Sequence, residues 1–116
     1  MAFDPELHRK INAVLELLPH EIAIDVRPKK MFGGIAFLFQ GKMTLGIVKR
    51  ELMVRVISSK MEETLRMKGV RPMDFTNRPM KEFVFVDREA CNNQEQILSW
   101  FHLGLEHAQH KLKNPK

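Results

Sequence analysis

From Gly33 to Ile57 apolar side chains recur at every second position, and only two short polar stretches break the rhythm. Ile35, Phe37 and Phe39 share one side, followed by Met43, Leu45 and Ile47, then by Leu52, Val54 and Val56. Successive strand residues point to opposite faces, so the pattern reads as three consecutive strands, each burying one side. The interruptions, Gln40-Gly41-Lys42 and Lys49-Arg50-Glu51, are of hairpin length. A parallel neighbour needs a crossover of about a dozen residues, for which there is no room, so these strands form an antiparallel meander and a Rossmann-type sheet is disfavoured.

The flanks supply helices to cover such a sheet. Asp4 is placed to cap a first helix, Pro5 suits its first turn, and Leu7, Ile11, Val14, Leu15 and Leu18 recur at helical spacing before Pro19 ends it. Ile22, Ile24 and Val26 alternate with Ala23, Asp25 and Arg27, which predicts a strand that Pro28 confines to an edge or closes. Ser59-Lys60-Met61-Glu62 fits a capping box for a short middle helix that stops at Gly69. Val70 to Lys81, with Pro72, Asn77 and Pro79, reads as an ordered loop, and Phe83 to Val86 as a last strand. Asn93 and Gln96 open a final helix carrying Ile97, Trp100, Phe101, Leu105, Ala108 and Leu112 along one stripe. The expected fold is α+β in two layers: an antiparallel sheet of about five strands with N-terminal, middle and C-terminal helices on one face.

A chain of 116 residues, 44% hydrophobic and 28% charged, has the size and balance of one globular domain. We place that domain at 1–110 and a basic, flexible tail at 111–116. The N-terminus has no basic stretch followed by an apolar run, and the longest apolar run, Met31 to Phe39, falls well short of the roughly 20 residues of a membrane span. A single cysteine, Cys91, excludes an internal disulfide and a CxxC metal pair. These features fit a cytoplasmic protein that needs no cofactor. The net charge of +5 permits attraction to nucleic acid or acidic partners without requiring it.

No catalytic or metal constellation stands out. Gly33-Gly34 and Gly41-Lys42 fit neither phosphate-loop pattern and lack a following helix, so the paired glycines read as a bend or bulge, and Gly46 as a point of close packing. His102, Glu106 and His110 lie on one helical face, but the two histidines are about 12 Å apart along the axis and cannot share an ion. His107 and His110 are closer, without a third ligand nearby in sequence. Cys91 and Ser99 have no histidine signature beside them, and Asp25, Asp74 and Asp87 show no acid–base pairing.

The set most suggestive of binding is Arg55, Arg71, Asp74, Phe75, Arg78 and Lys81, with Met73 and Met80 among them, because it mixes cations with apolar groups in a region read as loop-rich. Arg55 alternates with Val54 and Val56 and so belongs on the opposite sheet face, where it either pairs Asp74 or binds a partner's acid. The clusters Arg27-Lys29-Lys30, Lys49-Arg50 and Arg66-Lys68-Arg71 form a nucleic-acid footprint only if folding gathers them, and few aromatic groups remain for stacking.

Met31-Phe32-Gly33-Gly34-Ile35-Ala36-Phe37, with Gly46 and Leu52-Met53-Val54-Arg55-Val56 after it, resembles the core signature of the TfoX N-terminal domain family. Gly69-Val70-Arg71-Pro72-Met73-Asp74-Phe75, Arg78-Pro79-Met80-Lys81 and Phe83-Val84-Phe85-Val86-Asp87 resemble its second half, especially in single-domain members. The resemblance implies a small α+β domain similar to regulators of natural competence in bacteria, which assist transcription or act through protein contacts. On that footing the expected role is a non-enzymatic interaction domain with a protein partner, a second copy included. The alternatives are direct nucleic-acid binding and small-ligand binding in an Arg/Lys-lined pocket.

Overall fold

The computed structural model describes residues 4–31, 33–48, 50–75 and 78–113, leaving the side chains of residues 31, 73–75 and 78–81 outside the description. Helix α1 (Pro5–Leu15) begins where Asp4 accepts the Glu6 amide at 2.9 Å, with Pro5 in the first turn. Satisfying an otherwise orphaned amide is what makes an N-cap aspartate favourable. Its inward face, Leu7, Ile11 and Val14, is buried.

The alternation at Ile22–Val26 does not make a strand. The chain instead forms a single helical turn, α2 (His20–Ala23), whose Ile22 and Ala23 amides bond the Pro19 carbonyl at 3.0 and 2.9 Å. Four residues of mixed polarity satisfy either period, and local hydrogen bonding decides between them. The first strand, β1 (Val26–Met31), follows and contains Pro28.

Strands β2 (Gly34–Phe39), β3 (Lys42–Val48) and β4 (Glu51–Arg55) form the expected meander. After helix α3 (Ser58–Leu65), the segment Val70 to Lys81 read as a loop instead forms strand β5 (Val70–Phe75) and the first part of β6 (Arg78–Val86), whose Phe83–Val86 end is the expected last strand. The sheet therefore has six strands rather than about five, in the order β1-β2-β3-β4-β6-β5, with every described pairing antiparallel. Proline cannot donate to a strand ladder, and topology explains why three are tolerated. Pro28 and Pro72 lie in the two outermost strands, while Pro79 lies in the part of β6 that pairs only with β5. A short 3₁₀ turn (Arg88–Ala90) leads to helix α4 (Gln94–Lys113). The Gln96 amide donates to Asn93 Oδ1 at 2.9 Å, and Gln96 Oε1 accepts the Asn93 amide at 3.2 Å, a reciprocal box at the helix start.

The faces of the sheet are unequal. One packs Phe37, Leu45, Ile47, Leu52, Val54 and Val84 against Ile11, Ile97, Phe101 and Leu105 of the helices, forming the main core. The other carries a separate cluster of Ala36, Met43, Val48, Met53, Phe83 and Phe85, which contains no helix residue. Met43 was expected beside Leu45, but it lies in this second cluster. Leu38 pairs with Met43 and Phe37 with Leu45, so Thr44 is an extra residue that turns Met43 over. The Thr44 hydroxyl donates to the Phe37 carbonyl at 2.7 Å, and a side chain at Gly104 of α4 would collide with the Thr44 backbone.

Glycines set two further close approaches. A methyl group at Gly34 would strike the Ile47 carbonyl, and one at Gly46 would stand 2.6 Å from the Ile35 carbonyl oxygen. Gly34→Ala and Gly46→Ala should each lower unfolding free energy by about 1–3 kcal/mol, the usual cost of overpacking. Urea titration should show this as a lower midpoint at unchanged slope.

Candidate functional site

Four elements converge at the end of the sheet where β4 stops. The capping box expected at Ser59 is absent: α3 starts at Ser58 after Ile57, and no side chain caps it. The Ser58 hydroxyl, at the first helical position, donates to Glu82 Oε2 at 2.6 Å, a charge-assisted bond. Glu82 sits in β6 with φ +66°, a left-handed conformation that non-glycine residues adopt rarely. Its Oε1 lies 3.0 Å from Nε2 of His107, and Arg55 and Lys111 place cationic nitrogens at 3.8 and 3.9 Å. Arg55 Nε also lies 3.2 Å from His107 Nε2.

His107 is 1% exposed on the inward side of α4, and its Nδ1 has no partner among the described residues. Burial, aided by the nearby Arg55 charge, holds its pKa below the ordinary histidine value, against the pull of Glu82. The Glu82 carboxyl is pulled down to about 2, first by the Ser58 hydroxyl and then by His107. Although serine, glutamate and histidine meet here, the glutamate stands between the other two. The hydroxyl donates to a carboxylate, so the imidazole is not placed to take its proton, as nucleophilic catalysis requires.

The two candidate arginines with described side chains are both paired within the chain. Arg55 lies over Phe83, 4.8 Å from the ring centroid, which puts it on the sheet face opposite Val54 as its alternation implied. Its acid is Glu82. Arg71 stacks over Phe85 at 5.1 Å, pairs with Glu51, and approaches Asp87 at 3.4 Å. Asp74 and Phe75 fall in β5, and Arg78 and Lys81 in β6, so one hairpin joins all four; their side chains lie outside the described residues. Of the motif residues, Gly33 takes φ +74° between β1 and β2 and Gly69 takes φ +83° before β5, while Met31 ends β1 and Phe32 is not described.

Glu82 and His107 were not singled out as site residues from sequence. Glu82 carries no motif, but His107 breaks the apolar stripe of the last helix between Leu105 and Ala108, and a polar residue on a buried stripe is a signal of pairing. Elsewhere, Glu106 holds Lys60 at 2.9 Å. The Cys91 thiol is buried and pushed up to about 11 by desolvation, so it stays protonated. Among the described residues, no three of His, Cys, Asp or Glu are grouped to hold a metal, and no helix is long and apolar enough to cross a membrane. A cavity of about 580 Å³ opens between the turn after α3 and the start of α4, lined by Met67, Lys68, Glu89, Gln96, Ser99 and Trp100.

The Glu82 cluster makes stability depend on pH. A histidine held below its unfolded value of 6.5 contributes stability that is complete above that pH and fades below it. Glu82, at about 2 against 4.5 unfolded, contributes stability present above pH 4.5 and lost toward pH 2. Both act in the same direction, so the urea midpoint should fall in two steps as pH drops. Glu82→Gln should shrink the lower step, to which Asp4, held low against desolvation by Arg88 and the Glu6 amide, also contributes, and cost about 1–2 kcal/mol at pH 7.

Compared with known proteins, the chain matches the TfoX N-terminal domain family over residues 21–108. No curated protein and no solved structure matched. The chain belongs to the TfoX N-terminal domain family.

Proposed function

We propose that this member of the TfoX N-terminal domain family is a non-enzymatic regulatory domain of the bacterial cytoplasm that acts through contacts with other proteins. The setting is the control of competence with which the family is associated. The observation that carries this reading is the fate of the polar side chains best suited to chemistry. Glu82 is engaged by Ser58, His107, Arg55 and Lys111, and Arg71 by Glu51 and Asp87, so these groups hold strands and helices together instead of facing a substrate. An enzyme places its perturbed ionisable groups in a cleft. Here the strongly shifted carboxyl lies within an internal ion-pair network, and the strongly shifted thiol is buried against the Asp87 carbonyl at 3.3 Å. Among the surfaces left open to a partner is the rim of an open sheet.

The test is reconstitution. A protein recovered with this chain from cell extract should, once both are purified, form a complex of fixed stoichiometry in sedimentation velocity. Duplex DNA, single-stranded DNA and RNA should give no shift at low salt. A chain that sediments alone with every recovered protein, or that shifts nucleic acid with the steep salt dependence of counterion release, would overturn the reading.

A further inference from the structure

We propose that the outer edge of β1 is a docking site for an extended acidic segment of a partner protein, which adds to the sheet as a further strand; this rests on the protein-contact reading above and names the partner's chemistry. β1 is outermost in the sheet, so one side of its backbone has no strand beside it among the described residues. Arg27, Pro28, Lys29 and Lys30 are all exposed. None of the three cations has an ion-pair partner among the described residues, and the neighbouring strand β2, from Gly34 to Phe39, contains no charged residue. Asp25, just before β1, is held by Gln40 Nε2 at 3.1 Å.

The opposite edge sharpens the contrast. β5 begins with the same Val-Arg-Pro sequence as β1, and pairing across the sheet sets Arg71 and Lys29 at the two ends of one row, through Ala36, Gly46, Met53 and Phe85. Arg71 has two acids of its own chain, Glu51 and Asp87. The cations of β1 have none among the described residues, which leaves them available to an acid from outside.

The placement of those cations selects among anionic partners. Arg27 lies opposite Leu38 and Lys29 opposite Ala36, on the face of the second cluster, whereas Lys30 lies opposite Ile35 on the face of the main core. Charge therefore straddles the edge. An added strand alternates its side chains with the same period of two and reaches both sides, whereas a nucleic-acid backbone or a lipid surface approaches one. A second copy of β1 would set like charges opposite one another, which is unfavourable. Pro28 leaves the outer ladder short of a donor, so binding leans on the ion pairs and weakens with salt. Lysine and proline also resist indiscriminate strand addition, which leaves an acidic segment as the favoured occupant.

The test uses the intact protein and two synthetic peptides of identical composition, one alternating Glu with Thr, the other with its glutamates contiguous. Amide chemical shifts should move along Val26–Met31 with the contiguous peptide, whose glutamates reach both sides of the edge, and affinity should fall about tenfold or more for the alternating isomer, whose glutamates all fall on one side, and for Arg27→Glu/Lys29→Glu. Both substitutions are at exposed positions, and an unchanged circular dichroism spectrum should confirm that the double variant folds. Equal binding of the isomers, unchanged affinity in the double variant, no binding, or tighter binding of a duplex oligonucleotide or anionic vesicles would overturn the proposal. If the double variant still forms the reconstituted protein complex at full affinity, the β1 proposal fails while the protein-contact reading stands; if no protein complex forms with either version, the broader reading fails.

Discussion

The contact on which the rest of this fold depends is the seating of α4 on β3. Gly104 lets the helix backbone approach the Thr44 backbone so closely that no side chain fits between them. Thr44 is itself the extra residue of a bulge, its hydroxyl tied to the Phe37 carbonyl at 2.7 Å. With the helix fixed at that depth, Ile97, Phe101, Leu105 and Ala108 reach the inner face of the sheet, and His107 arrives beside Arg55 and Glu82. One backbone approach thus sets both the main core and the polar cluster at its margin.

That cluster shows how a sheet end can be closed without a turn between neighbours. β4 and β6 are adjacent in space but separated in sequence by α3 and β5, so their register needs other ties. Glu82 supplies them, accepting from Ser58 back at the start of α3 and lying against His107 in α4, while its own carbonyl accepts the Val56 amide at 2.9 Å. A partly buried carboxylate is costly unless satisfied, and here Oε2 accepts from Ser58 while Oε1 lies against His107 Nε2 and the Arg55 and Lys111 cations. At the other end of the sheet, Asp4 both caps α1 and accepts Arg88, fastening the first helix to the 3₁₀ turn.

Much of this was legible in the sequence, for identifiable reasons. The meander from Gly34 to Arg55 was plain because strand period and hairpin spacing agree, and the caps at Asp4 and Asn93 because helix starts demand a side-chain acceptor. β5 and the first part of β6 were hidden because proline argues against a strand unless its edge position is known, and edge position is a tertiary property. α2 was hidden because four residues do not separate two periods. The cap expected at Ser59 failed because the helix starts one residue earlier, with Ile57 at its N-cap and Ser59 inside the first turn. Arg55 was correctly placed across from Val54, but its partner Glu82 carries no local signal.

These features describe a platform whose inner face is closed by helices and whose Glu82 and Arg71 clusters tie its elements together, with the cationic outer strand as the proposed place for recognition. Native-state hydrogen exchange on the isolated protein tests this most directly. Amides of β3, β4 and the inward side of α4 should exchange only through global unfolding, while the outward-facing amides of β1 should exchange through local fluctuation at far lower free energy. Protection of every β1 amide to the level of β3 would show that the edge is already paired in solution, and would contradict the account.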